Sequence, residues 1–133
     1  MTKYTVCDPL IPYVVDKGLI AREAILPTFR DFPWESMLAK MRTAKEEDIH
    51  FSPSVSFTNL EDLHSMTISI VEDPKETVFY LFYAESEGES STHVLLDQSA
   101  PATSDILAAF ADGRYYYVRE RCVSHSKPWW KLW

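Results

Sequence analysis

The sequence predicts an α+β fold: an antiparallel meander sheet of four to five strands, with two or three helices packed against it, in a single domain. Three observations carry this. From Pro53 onward apolar and polar residues alternate with a period of two, in runs separated by turn residues at hairpin spacing. On either side of those runs lie segments whose apolar residues recur at helical spacing. The length of 133 residues, 46% of them hydrophobic, suffices for one core without covalent or metal staples.

Residues 1–32 are interrupted by Pro9, Pro12, Gly18 and Pro27. A short helix is expected from about Lys17 to Leu26, ended by Pro27, because a proline inside a helix clashes with the preceding turn. A second helix is clearer. Asp31 is placed to cap it and Pro33 suits its first turn. Trp34, Met37, Leu38 and Met41 then fall on one face, and the helix should fade in the polar run Thr43 to Asp48. That stripe reads as core.

The strands follow. Val55 and Phe57 alternate with Ser54, Ser56 and Thr58; Met66, Ile68 and Ile70 alternate with Thr67 and Ser69. Asp73-Pro74-Lys75 reads as a turn. Thr77 to Tyr83 is apolar on both faces, which predicts a central strand covered at least in part on both sides. Glu85 to Ser91 reads as an acidic loop, and His93 to Asp97 as a fourth strand. Another helix is expected next, capped by Thr103 or Ser104, with Ile106, Leu107 and Phe110 inward and Gly113 as its stop. Arg114 to Cys122 alternates again and predicts a fifth strand, with Tyr116, Val118 and Cys122 on one face.

Several functions are excluded by counting. With only Gly18, Gly88 and Gly113, neither a phosphate loop nor a dinucleotide fingerprint can be built. Cys7 and Cys122 lie too far apart in sequence for a paired-cysteine zinc site, and no zinc-protease or calcium-loop motif occurs. No cofactor and no metal site is expected. The longest apolar run, Val78 to Ala84, is too short to span a bilayer, and no leader pattern is visible in Met1 to Leu10. These features predict a cytoplasmic protein with free thiols and no membrane partner.

Charge is segregated. Residues 46–112 hold fourteen carboxylates against Lys75 alone, a net −13, while residues 1–45 carry +2 and residues 113–133 carry +4. Such an acidic block attracts basic partners and repels nucleic acid. The carboxylates fall mostly in turns. Alternate turns of a meander share one end of the sheet, so Glu61 and Asp62 should stand beside Glu85, Glu87 and Glu89, with the Asp73 turn at the other end.

The leading functional expectation is therefore a non-catalytic binding protein that offers Glu61, Asp62, Glu85, Glu87 and Glu89 to a basic protein partner, as immunity or inhibitor proteins do. A second expectation is a small enzyme or ligand-binding domain with a pocket lined by Trp34, Tyr80, Tyr83 and Tyr117. A third is single-stranded nucleic-acid binding through the basic and aromatic C-terminus, including Arg119, Arg121, Trp129, Trp130 and Trp133. The three tryptophans are also candidate interaction aromatics, as a monomer's contact surface or in a homodimer. Catalysis through Cys122 and His125 is disfavoured, because Cys122 falls on an apolar face.

Overall fold

The computed structural model describes residues 1–72, 77–85 and 93–125. Its strands form one antiparallel sheet. They are β1 (Thr2–Cys7), β2 (Val15–Ile20), β3 (Ser54–Asn59), β4 (Ser65–Glu72), β5 (Thr77–Ala84) and β6 (His93–Gln98), in the order β2-β1-β3-β4-β5-β6. The helices are α1 (Ile25–Asp31), α2 (Trp34–Thr43), α3 (Ala100–Ala111) and α4 (Tyr115–His125). The α+β meander is present, with six strands rather than four to five.

The four strands read from alternation are β3 to β6, paired consecutively. Their inward rows are Val55 and Phe57, then Met66, Ile68 and Ile70, then Phe79, Leu81 and Tyr83, then Leu95, all buried. The cross-strand pairs Phe57↔Met66, Ile68↔Leu81 and Leu81↔Leu95 stack these rows beneath the helices. Burying each such side chain contributes about 1.5–3 kcal/mol. β5 is an interior strand one place from the edge; Val78 is buried on its second face, where Tyr80 and Phe82 are half-buried.

Three expectations are corrected. First, Lys17 to Ile20 is strand, not helix. β1 and β2 form a hairpin, with Tyr4 and Val6 opposite Phe57 and Val55 of β3. The prolines that hid this hairpin occupy its loop, between Cys7 and Val15. Gly18 has φ +88° and donates its N–H to Asp16 Oδ1 at 2.8 Å, which accommodates the irregular pairing of the edge strand.

Second, Pro27 starts a helix rather than ending one. It lies in the first turn of α1, where an N–H would have no intrahelical acceptor anyway. Asp31 closes α1 instead of capping α2, whose buried Met37 and Leu38 do form the expected stripe.

Third, residues Tyr115–His125 are helix α4, not a fifth strand. At helical spacing Val118 and Cys122 share a face, and both are buried. Tyr116, expected beside them, is 74% exposed. Gly113 does stop α3. Its φ is +77°, its N–H donates to Phe110 O, and Arg114 N–H donates to Ala109 O, the paired bonds of a Schellman closure. The cap of α3 is Ser99, whose hydroxyl accepts from Ala102 N–H at 3.2 Å, while Thr103 lies buried inside the helix.

Candidate functional site

Strand register decides which turns meet. Thr2 opposes Asn59 and Ser65 opposes Ala84, so the β3–β4 turn and the end of β5 lie at one end of the sheet. Glu61, Asp62 and Glu85 therefore do stand together. Glu87 and Glu89 lie outside the described residues, as do the Asp73 turn and Trp129, Trp130 and Trp133.

This end is built on a polar and aromatic network. The buried Thr2 hydroxyl donates to Asn59 Oδ1 at 2.7 Å, and Asn59 Nδ2 donates to the Tyr115 hydroxyl at 2.7 Å. That hydroxyl donates onward to Asp62 Oδ2 at 2.7 Å, and Asp62 Oδ1 accepts from His64 N–H at 3.0 Å. The His64 ring stacks on Tyr115 with centroids 3.8 Å apart, and its Nδ1 lies 2.6 Å from the Tyr83 hydroxyl. Tyr83 in turn stacks on His93 at 5.7 Å.

Burial pushes the Tyr83 phenol well above the ordinary tyrosine range, and the nearby Glu85 carboxylate adds to the effect. Tyr115 is raised too, first by burial and then by its bond to Asp62, which favours the neutral donor. Both phenols are thereby held as hydroxyls, suited to hydrogen bonding rather than to proton abstraction. The network joins β1, β3, the β3–β4 turn, β5, β6 and α4, and its polar groups satisfy one another.

The acids of this end meet the protein's own cations. Arg22 Nη2 lies 3.4 Å from Glu61 Oε2 and 3.7 Å from Asp62 Oδ2, the N-terminal ammonium lies 3.8 Å from Glu61, and Arg119 pairs with Glu85. Arg114 pairs with Asp112 at 3.5 Å, and Tyr117 donates to Asp105 at 3.1 Å. Within the described part of the C-terminal basic and aromatic set, Arg114, Tyr115, Tyr117 and Arg119 thus bond to carboxylates or to the core network. Cys122 is buried, and burial raises its thiol to about 11, well above a reactive value.

The four aromatics expected to line a pocket are dispersed. Tyr83 is fully buried, Tyr80 points to the opposite face of the sheet, Trp34 packs on Phe29 and Phe79, and Tyr117 lies on α4. Among the described residues, two concave features lie over α1 and α3: a groove of about 370 Å³ lined by Arg22, Glu23, Leu26, Ala108, Ala111 and Asp112, and a wider one of about 780 Å³ lined by Leu26, Arg30, Pro101, Ser104, Asp105 and Ala108. Among the described residues no cluster of three or more His, Cys, Asp or Glu is placed to hold a metal ion. No described helix is long and apolar enough to cross a membrane.

The opposite end of the sheet was not singled out from sequence. There the β1–β2 loop exposes Leu10 (41%), Tyr13 (65%) and Val14 (53%). The loop is fixed at its base. Asp8 Oδ1 accepts from Leu10 N–H at 2.9 Å, and Asp8 Oδ2 from Lys40 Nζ at 2.8 Å. Burial opposes ionisation of Asp8, but these bonds and the Lys40 charge outweigh it, so its carboxyl sits below the usual aspartate range. His50 N–H donates to Pro9 O at 2.8 Å, which ties the preceding 3-10 turn, Glu46–Asp48, to the same loop. Glu46, Glu47 and Asp48 are all exposed. The signal for this site was available: five apolar or proline residues in a row, Leu10 to Val14, too constrained to continue a strand.

Comparison with protein-family models, with curated proteins and with solved structures finds no match to this chain.

Proposed function

We propose that this chain is a non-catalytic binding protein that meets a basic protein partner with an acidic surface, in the manner of an immunity or inhibitor protein. The observation that carries the reading is the contrast between the two ends of the sheet. Glu61, Asp62 and Glu85 are matched by Arg22, the N-terminus and Arg119, so a partner's cations would have to displace internal ones. Glu46, Glu47 and Asp48 instead stand in a row, exposed, on a chain of net charge −7. Opposite potential raises the encounter rate and selects partners by sign of charge. Among the described residues, the histidine–tyrosine arrangement of His64, Tyr83 and Tyr115 is closed on itself, which supports a structural role for it.

The test is affinity capture from the host lysate on immobilised protein, eluted with rising salt, with Glu46→Lys/Glu47→Lys as the parallel bait. A basic protein released by salt from the wild type and absent from the variant is expected. Retention of the same proteins by both baits, or recovery of no basic protein, would sink the reading.

A further inference from the structure

We propose that the β1–β2 loop, through Leu10, Tyr13 and Val14, is the contact surface for that partner, and that the partner offers an apolar patch bordered by lysine or arginine. The proposal rests on the reading of a basic partner given above and adds where and how it is held. Three exposed apolar side chains within five residues are an unusual solvent-facing feature, and such clusters mark contact sites. The loop is also preorganised. Pro9 and Pro12 restrict its backbone, Ile11 N–H donates to Asp8 O at 3.2 Å, and Asp8 is clamped by Lys40. Less ordering entropy is then lost on binding than for a mobile loop.

Charge selects the occupant. The Glu46–Asp48 turn is tied to the loop through His50 and Pro9, so the apolar tip is bordered by exposed carboxylates. Leu60 and Leu63 are exposed at the other end of the sheet, but the acids between them already face Arg22. A second copy of this acidic chain would bring like charges together at the same rim, whereas a partner with a cationic rim gains there.

Random dodecapeptides displayed on phage are selected on the immobilised full chain, and the enriched peptides are titrated by fluorescence anisotropy. The expected peptides combine aliphatic or aromatic residues with lysine or arginine. Leu10→Ser/Tyr13→Ser should weaken them by about tenfold or more, as loss of central apolar anchors does. Glu46→Gln/Glu47→Gln should reduce both affinity and salt dependence, and Glu61→Gln should leave both unchanged. The substituted loop residues are exposed, so thermal melts should confirm that the variants stay folded. Basic peptides that bind Leu10→Ser/Tyr13→Ser within about twofold of wild type overturn the proposed surface while leaving a basic partner in place. Peptides without an excess of lysine and arginine, or no enrichment, overturn the basic-partner reading and the surface with it.

Discussion

Asn59 Nδ2 lies 2.7 Å from the Tyr115 hydroxyl, and through this contact the end of β3 holds the start of α4. The same amide accepts the Thr2 hydroxyl, so one side chain ties the first strand, the third strand and the last helix. Asn59 is fully buried. Asn59→Ala would strand the Thr2 donor and remove a partner of Tyr115, each loss worth about 1–3 kcal/mol when the group stays buried. The expected outcome is a destabilisation of about 2–4 kcal/mol in urea melts, with Tyr115→Phe costing less because it keeps the stacking on His64. Equal stability of Asn59→Ala and wild type would show that the network is not structural.

Leu63 occupies the left-handed region at φ +63°, in the turn closed by Leu63 N–H donating to Asn59 O at 2.7 Å. A side chain there costs about 1–2 kcal/mol, part of which glycine gives back as unfolded-state entropy. Leu63→Gly should therefore stabilise the protein by about 0.5–1 kcal/mol, seen as a rise in the denaturation midpoint.

Thr103 is fully buried and its hydroxyl has no hydrogen-bond partner among the described residues. Valine has nearly the same shape without the stranded polar group. Thr103→Val should raise stability by about 1 kcal/mol, read as a melting temperature higher by a few degrees. A loss of stability would mean that the hydroxyl is satisfied in solution.

Asp8 has its carboxyl held below the ordinary aspartate range, with Lys40 as the chief stabilising partner. A group lowered in the folded state contributes stability above its unfolded value, near pH 4, and loses it as pH falls through the native value. Acid titration of stability should therefore show a smaller drop below about pH 4 in Asp8→Asn than in wild type. Parallel curves would refute the coupling.

Cys122 is buried with its thiol raised to about 11, while Cys7 is half-buried on β1 and shows no comparable burial. Iodoacetamide at pH 8 should label Cys7 first and leave Cys122 unmodified until denaturant is added, as mass spectrometry of tryptic peptides would show. Early labelling of Cys122 would place it at the surface.

The strands β3 to β6 were legible because their alternation is set by the pleat itself, and a half-buried sheet has no other pattern available. The stripe on α2 and the glycine stop after α3 were legible for the same local reason. Residues 115–122 were not, because tyrosine, valine and arginine in alternation satisfy two periods at once, and only docking of Val118 and Cys122 on the core selects the helical one. The β1–β2 hairpin was hidden because β1 is held by pairing with β3, about fifty residues away, and β2 by pairing with β1, rather than by their own propensity.

The sequence by itself determined the meander, its acidic turns and the material of the core. The adjacency of Glu61, Asp62 and Glu85 followed from meander geometry alone. Tertiary structure decided that Arg22 and Arg119 answer those acids, that Tyr115 closes a network with Asn59 and His64, and that the apolar loop stands beside Glu46–Asp48. The reason is physical: local pattern fixes which way a side chain faces, whereas an ion pair or a hydrogen bond between distant segments exists only once the chain is folded around its core.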